Sequence, residues 1–132
     1  MKDIKQSKLF TPYKMGPVTL RNRTIRSAAF ESMGKDFAPT QALKDYHVSV
    51  AKGGVGMTTL AYASVNRGGI SFNSQLWLRD EIVPQLRDIT EAVHAEGAAV
   101  GIQIGHCGNM THWSTAGSFP ISASNGFNLY SP

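Results

Sequence analysis

Hydrophobic positions along the chain change period repeatedly, and the changes predict alternating strands and helices. Thr24-Ile25-Arg26-Ser27-Ala28-Ala29-Phe30 starts like a strand and continues in small residues, which predicts a first strand over 24–30. Leu43, Tyr46, His47, Val50 and Ala51 then recur at helical spacing. Thr40 can cap that helix, Lys52 sits in its last turn and Gly53-Gly54 stops it, so a helix over 41–52 with His47 on its packed face is expected. Val55-Gly56-Met57-Thr58-Thr59-Leu60-Ala61-Tyr62-Ala63 is mostly apolar without clean alternation. That suits a parallel strand covered on both faces, over 55–62. Asp80 opens a second helix, 81–96, in which Ile82, Leu86, Ile89 and Val93 keep helical intervals and Gly97 ends the run. Pro84 falls in its first turn, where a missing amide costs little, and His94 is expected on the surface near the C-terminus. A third strand is predicted over 98–104.

The order strand, helix, strand, helix, strand makes two successive β-α-β units, with the helices on the same side of a parallel sheet. Tight returns precede the strands and long loops follow them, which places functional segments at the strands' C-terminal ends, as in a (β/α)8 TIM barrel. A doubly wound sheet shares the alternation, but no glycine fingerprint for dinucleotide phosphates follows the first strand. The expected class is therefore α/β, a partial barrel. Three strands and two helices cannot close a barrel of eight strands in roughly 250 residues, so residues 1–132 read as the N-terminal portion of a single barrel domain. After Gly105 the chain turns to Gly, Ser, Asn and Thr without a further helical pattern.

Composition narrows the function classes. At 132 residues and 42% hydrophobic content the chain can build a globular core. The opening residues contain no apolar targeting segment and no later run approaches membrane-spanning length, so a cytoplasmic, membrane-free protein is expected. The formal charge of +4 is uneven: residues 1–35 hold eight Lys/Arg against two acids, and the remainder five against seven. Those basic residues lie in turns and a short strand without interleaved aromatics, which argues against a nucleic-acid face. Cys107 is the single cysteine, so disulfides and thiolate metal sites within the chain are excluded. His106 and His112 form no convincing metal-ligand pair, and no metal site is expected.

One residue stands out chemically. In Val100-Gly101-Ile102-Gln103-Ile104-Gly105 an apolar strand carries a single amide just before a glycine-rich loop. Once buried, that amide needs partners. Its adjacent acceptor and donors match the pyrimidine edge of a flavin, and neighbouring backbone could satisfy it equally.

The ordered set Leu9-Phe10-x-Pro12, Gly16, Leu20-Arg21-Asn22-Arg23, Gly53-Gly54-Val55-Gly56, Asp80-Glu81, Ala92-Val93-His94-Ala95-x-Gly97 and Gln103-Ile104-x-His106-x-Gly108 resembles the N-terminal part of the Old Yellow Enzyme family. These are FMN-dependent NADH:flavin oxidoreductases and ene-reductases. The resemblance runs from about Leu9 to Gly108. It implies FMN across the C-terminal ends of the strands, with Ser27, Ala28, Ala29 and Phe30 passing the flavin, Ala61 against it, and Gln103 pairing with its pyrimidine edge. An ordinary packed strand would carry the same small residues at 27–29. For His106 a structural hydrogen bond is expected rather than catalysis. The chain departs from the family pattern at Ala28, where Pro is common, and at Phe30, where Cys or Thr is common. It departs again at Leu60 in place of an acidic residue and at Asn109 in place of an arginine. These departures imply altered cofactor affinity or redox tuning.

The family's substrate-anchoring pair, proton-donating tyrosine and FMN-phosphate ligands come from later strands. No catalytic residue is assigned, and Tyr130 is not given the donor role. The expected function is transfer of hydride from NADH or NADPH through FMN to an activated alkene or similar small-molecule acceptor. The alternative is a non-catalytic barrel fragment or assembly module. It would need the complementing remainder of the barrel or a homo-oligomeric partner. Another phosphate-cofactor barrel enzyme is a third reading.

Overall fold

A computed structural model describes residues 7–124 together with Gly126 and Asn128. Tyr130 and the first six residues of the basic opening lie outside the described residues. The elements are β1 (Tyr13–Met15), β2 (Val18–Leu20), β3 (Ile25–Arg26), α1 (Gln41–Lys52), β4 (Met57–Ser64), β5 (Leu76–Trp77), α2 (Val83–Ala95), β6 (Ala99–Gly105) and α3 (Trp113–Ala116). No helix among the described residues is long and apolar enough to cross a membrane.

The central β4 pairs in parallel with β3 through Ile25 and Met57, and with β6 from Met57 opposite Ala99 to Ser64 opposite Gly105. The parallel β-α-β order predicted from the pattern is the observed one. Both β3 and β5 lie along one edge of β4, because β6 occupies the other edge at Met57 and again at Ala63. Helices α1 and α2 pack on each other and on one face of this sheet. Leu43, Ala51, Leu60, Ala63, Leu76, Ile89, Val93 and Ala98 form the core between them.

The helix starts follow local chemistry. Thr40 Oγ1 accepts the Leu43 N–H at 3.3 Å and caps α1. The second helix, expected from 81, begins instead with a 3-10 turn over Asp80–Ile82 before α2. Pro84 has no N–H to give Asp80, so the Val83 N–H takes that carbonyl and tightens the turn.

Three expectations need correction. The strand expected over 24–30 lasts only two residues, because the edge of β4 beyond it is taken by side chains, as described below. The third strand, whose apolar run reads by itself as buried, is open, as three strands too few to close a barrel imply: Ile104 is 59% exposed and Gln103 is exposed, with helices on one face of the sheet only. Two short pairings were also unread. They are the antiparallel hairpin of β1 and β2, around the Gly16-Pro17 turn, and β5.

At the end of the sheet where the helices return to strands, Arg21 ties the layers together. Its Nε donates to Val55 O at 3.0 Å, its Nη1 to Glu96 O at 2.7 Å, and its Nη2 to Ala51 O. Asn22 adds a bond from Nδ2 to Gly54 O at 2.7 Å. Gly54 and Gly97 turn there with φ of +95° and +76°, a region that favours glycine.

Candidate flavin site at the strand ends

All six residues expected at a cofactor site gather at the C-terminal end of the sheet, on the segment after β3, on β4 and on β6. Ser27, Ala28, Ala29 and Phe30 leave the sheet at once, and none of their N–H groups makes a backbone hydrogen bond among the described residues. Ala61 sits in a register shift of β4, where Leu60 faces Ile102 and Ala63 faces Ile104. The extra residue on β4 is a bulge, a device that re-aims side chains at strand ends. Gln103 stands on β6 beside this bulge.

Alternation along β6 sets what Gln103 faces. Val100 and Ile102 pack against the core, so Gly101, Gln103 and Gly105 share the face turned away from the helices. Gly101 and Gly105 leave the amide without side-chain neighbours on its own strand, and a Cβ at Gly105 would meet nothing within 4 Å. Among the described residues the Gln103 side chain makes no hydrogen bond, so neighbouring backbone does not satisfy it.

An aromatic wall borders this region. Phe30 stacks on Phe72 with ring centroids 5.0 Å apart and meets Tyr62 at 5.8 Å. The Tyr62 hydroxyl lies 3.9 Å from Cys107 Sγ. Burial, with the Cys107 thiol beside it, pushes the Tyr62 phenol up to about 12. It therefore stays protonated at neutral pH. His106 is held locally, its Nδ1 accepting the Gly108 N–H at 2.9 Å. His112 likewise caps α3 through Nδ1, accepting from Ser114 N.

Beneath the wall lies a buried ionic cluster that the sequence reading missed. Glu31 Oε1 accepts from Arg26 Nη1 at 2.5 Å, and both carboxylate oxygens face the Ala61 N–H at 3.2–3.3 Å. The Glu31 side chain is 4% exposed. His47, fully buried as its helical position implied, points Nε2 at Glu31 Oε1 from 3.3 Å and holds Thr58 Oγ1 with Nδ1 at 2.8 Å. The 3.3 Å contact lies outside the geometry of a well-formed hydrogen bond. In the His47 Nδ1–Thr58 Oγ1 hydrogen bond the donor is set by the imidazole tautomer. The available signal was two charges, Arg26 and Glu31, bracketing a run of small residues. Their partners, at 47, 59 and 61, are too distant in sequence to have been inferred from it.

Burial pushes the Glu31 carboxyl up, but the contacts with His47, the backbone amides and the Arg26 guanidinium outweigh it and hold the group below its usual value. A carboxylate with a depressed folded pKa contributes stability above its unfolded pKa, about 4.3, and that contribution is lost as pH falls through the folded value. Glu31→Gln should therefore be less stable than wild type at pH 7. Thermal melts at pH 7 and pH 3 should show the gap narrowing in acid. A gap independent of pH would mean that the charge on Glu31 contributes nothing.

Parallel strands joined by helices on one face, with long loops at the C-terminal strand ends, define this chain as a segment of a (β/α)8 barrel. Residues 8–129 match the NADH:flavin oxidoreductase / NADH oxidase family, and the chain belongs to that family, the family of Old Yellow Enzyme. It is 44% identical over 100 residues to the 4,4'-dithiodibutanoate disulfide reductase of Rhodococcus erythropolis, covering 76% of this chain and 25% of the relative. It is 40% identical over 106 residues to an NADPH dehydrogenase of Listeria welshimeri, covering 77% and 31% respectively. Its fold superposes on an old yellow enzyme homologue from Zymomonas mobilis with a TM-score of 0.83 at 23% identity, covering 91% of this chain and 34% of that one. The chain thus spans about a quarter to a third of the length of these relatives.

Proposed function

We propose that this chain forms the first part of an FMN-dependent oxidoreductase, which passes hydride from NADH or NADPH to an activated alkene or similar small-molecule acceptor. The observation that carries the reading is the Gln103 amide. It is unpartnered among the described residues, flanked by two glycines and set on the open face of the sheet. A planar ring with an acceptor and a donor side by side fits that amide, and the unbonded amides of 27–30 on the far side of β4 fit its polar rim. When bound, FMN supplies the acceptance and donation of hydride. The chain's own residues bind and orient it: Gln103 by its side chain, Ser27, Ala28 and Ala29 by backbone, Phe30 by its ring, and Ala61 by offering a small side chain. Purified protein containing this chain should show flavin absorbance and take up one FMN per chain after stripping. Colourless protein that takes up no FMN would overturn the reading.

A second reading is favoured by the outer edge of β6, which pairs with no strand among the described residues and carries the exposed Ile104. On that reading the 132 residues alone form an assembly module, completed by the rest of a barrel or by a second copy. Sizing chromatography of the isolated chain separates the two: a monodisperse monomer that binds FMN excludes the module.

A further inference from the structure

We propose that Arg26 and Glu31 are positioning residues of the flavin site: their side chains stand in for a strand along β4 and so keep the amides of Ala28 and Phe30 off β4, leaving the segment 27–30 open to a ligand. The proposal rests on the flavin reading above.

The edge of β4 shows how. At its start the Met57 N–H donates to Thr24 O at 3.2 Å, and β3 pairs alongside through Arg26 opposite Thr58. At its end β5 pairs on the same edge, with Leu76 opposite Ala63. Between them the polar groups of Thr59 and Ala61 point to that edge, since alternate residues of a strand face the same neighbour. The Thr59 N–H is met by the Arg26 carbonyl, as the Arg26–Thr58 pairing requires, but among the described residues no backbone meets the Thr59 carbonyl or the Ala61 N–H. The Thr59 carbonyl accepts from Arg26 Nη1 at 2.6 Å, and the Ala61 N–H donates to the Glu31 carboxylate. A guanidinium and a carboxylate thus complete the ladder between two short strands.

The consequence falls on the segment between the two side chains. Had residues 27–30 continued as a strand, the amides and carbonyls of Ala28 and Phe30, which alternate in register with Arg26, would be bonded to β4. Instead the segment arches over the splice and touches it at one point, where the Ala29 carbonyl accepts from Arg26 Nη2 at 3.0 Å. Ser32 closes the arch with φ of +56°, a conformation uncommon for residues other than glycine. Its hydroxyl lies 2.8 Å from that of Ser74, and the Gly34 N–H donates to Ser74 O at 3.1 Å, which fastens the arch to the approach of β5. His47 backs the splice from α1, contacting Glu31 and holding Thr58. A fixed arch with free donors binds a planar polar ligand without first paying to order itself.

Amide hydrogen exchange followed by NMR on the full protein, stripped of flavin and then reloaded with FMN, tests this directly. The Ala61 amide should be protected in both states. Those of Ala28, Ala29 and Phe30 should exchange fast when stripped and slow by about tenfold or more with FMN. In Glu31→Gln, Ala61 should lose about tenfold in protection and the Kd for FMN should rise about tenfold. The double variant Arg26→Met/Glu31→Leu removes both charges together and so leaves neither buried alone. If it melts cooperatively with native far-UV circular dichroism, it should show the same loss of FMN affinity. A folded double variant that binds FMN like wild type overturns the proposal, since the cluster would then serve stability alone. Amides of 28–30 already protected in stripped protein, or unchanged by bound FMN, overturn it without recourse to any variant. Wild-type protein that takes up no FMN overturns the flavin reading itself, and the proposal with it.

Discussion

Gln103→Leu should weaken FMN binding by about five- to a hundredfold, the equivalent of roughly 1–3 kcal/mol for polar groups left unpaired on the ligand. Leucine keeps the approximate volume of glutamine and suits a strand, so β6 itself should survive the change. The side chain is exposed and makes no hydrogen bond among the described residues, so its removal leaves no orphan within the chain. Stability should accordingly move little while affinity moves much. Titration of stripped protein with FMN, with a parallel thermal melt, measures both. Unchanged affinity together with an unchanged flavin potential would reduce Gln103 to an ordinary strand residue.

The opposite end of the sheet should show the converse pattern. Arg21→Met keeps the aliphatic stem but deprives the carbonyls of Val55 and Glu96 of their donor, and leaves Ala51 O with only the Gly54 N–H at 2.9 Å. Glu96 caps the end of α2, where carbonyls have no intrahelical partner and a cation is favoured. Each carbonyl left dry costs about 1–3 kcal/mol, and Arg21 is only half-buried, so water recovers part of this. A loss on the order of 3 kcal/mol is expected, seen as a fall of several degrees in melting temperature. Arg21→Lys should recover less than half of it, because one ammonium cannot span three carbonyls on separate elements. Thermal melts of the two variants decide the matter, and a melting temperature unchanged in Arg21→Met would show that water replaces the guanidinium completely. FMN affinity, measured below the melting range, should stay within about twofold of wild type, since Arg21 lies at the far end of β4 from Gln103.

Much of the architecture was legible because it is written in local periodicity. The helix over 41–52 has the observed bounds, since Thr40, the apolar stripe and Gly53-Gly54 all act within one or two turns. Gln103 was legible because a lone amide in an apolar strand contradicts its surroundings. Its exposure follows only from the count of elements, three strands being too few to close a barrel, because whether a strand is covered depends on what lies across the sheet, and that is not a property of the strand. The short β5 was unreadable for a related reason. Leu76-Trp77 is too brief to carry a period, and it is a strand only because the end of β4 offers it an edge.

The splice at Arg26 and Glu31 marks the boundary between the two kinds of information. From sequence alone, Thr24 to Phe30 reads as one strand, and the family resemblance implies that its small residues pass a flavin. What ends that strand after Arg26 is the meeting of a carboxylate at 31 with an amide at 61 and an imidazole at 47. Sequence by itself determined the order of elements and the parallel β-α-β topology, because periodicity, caps and turns act over a few residues. Tertiary structure alone decided which backbone amides stay out of the sheet, because hydrogen bonds between distant segments depend on where the fold brings their donors and acceptors together.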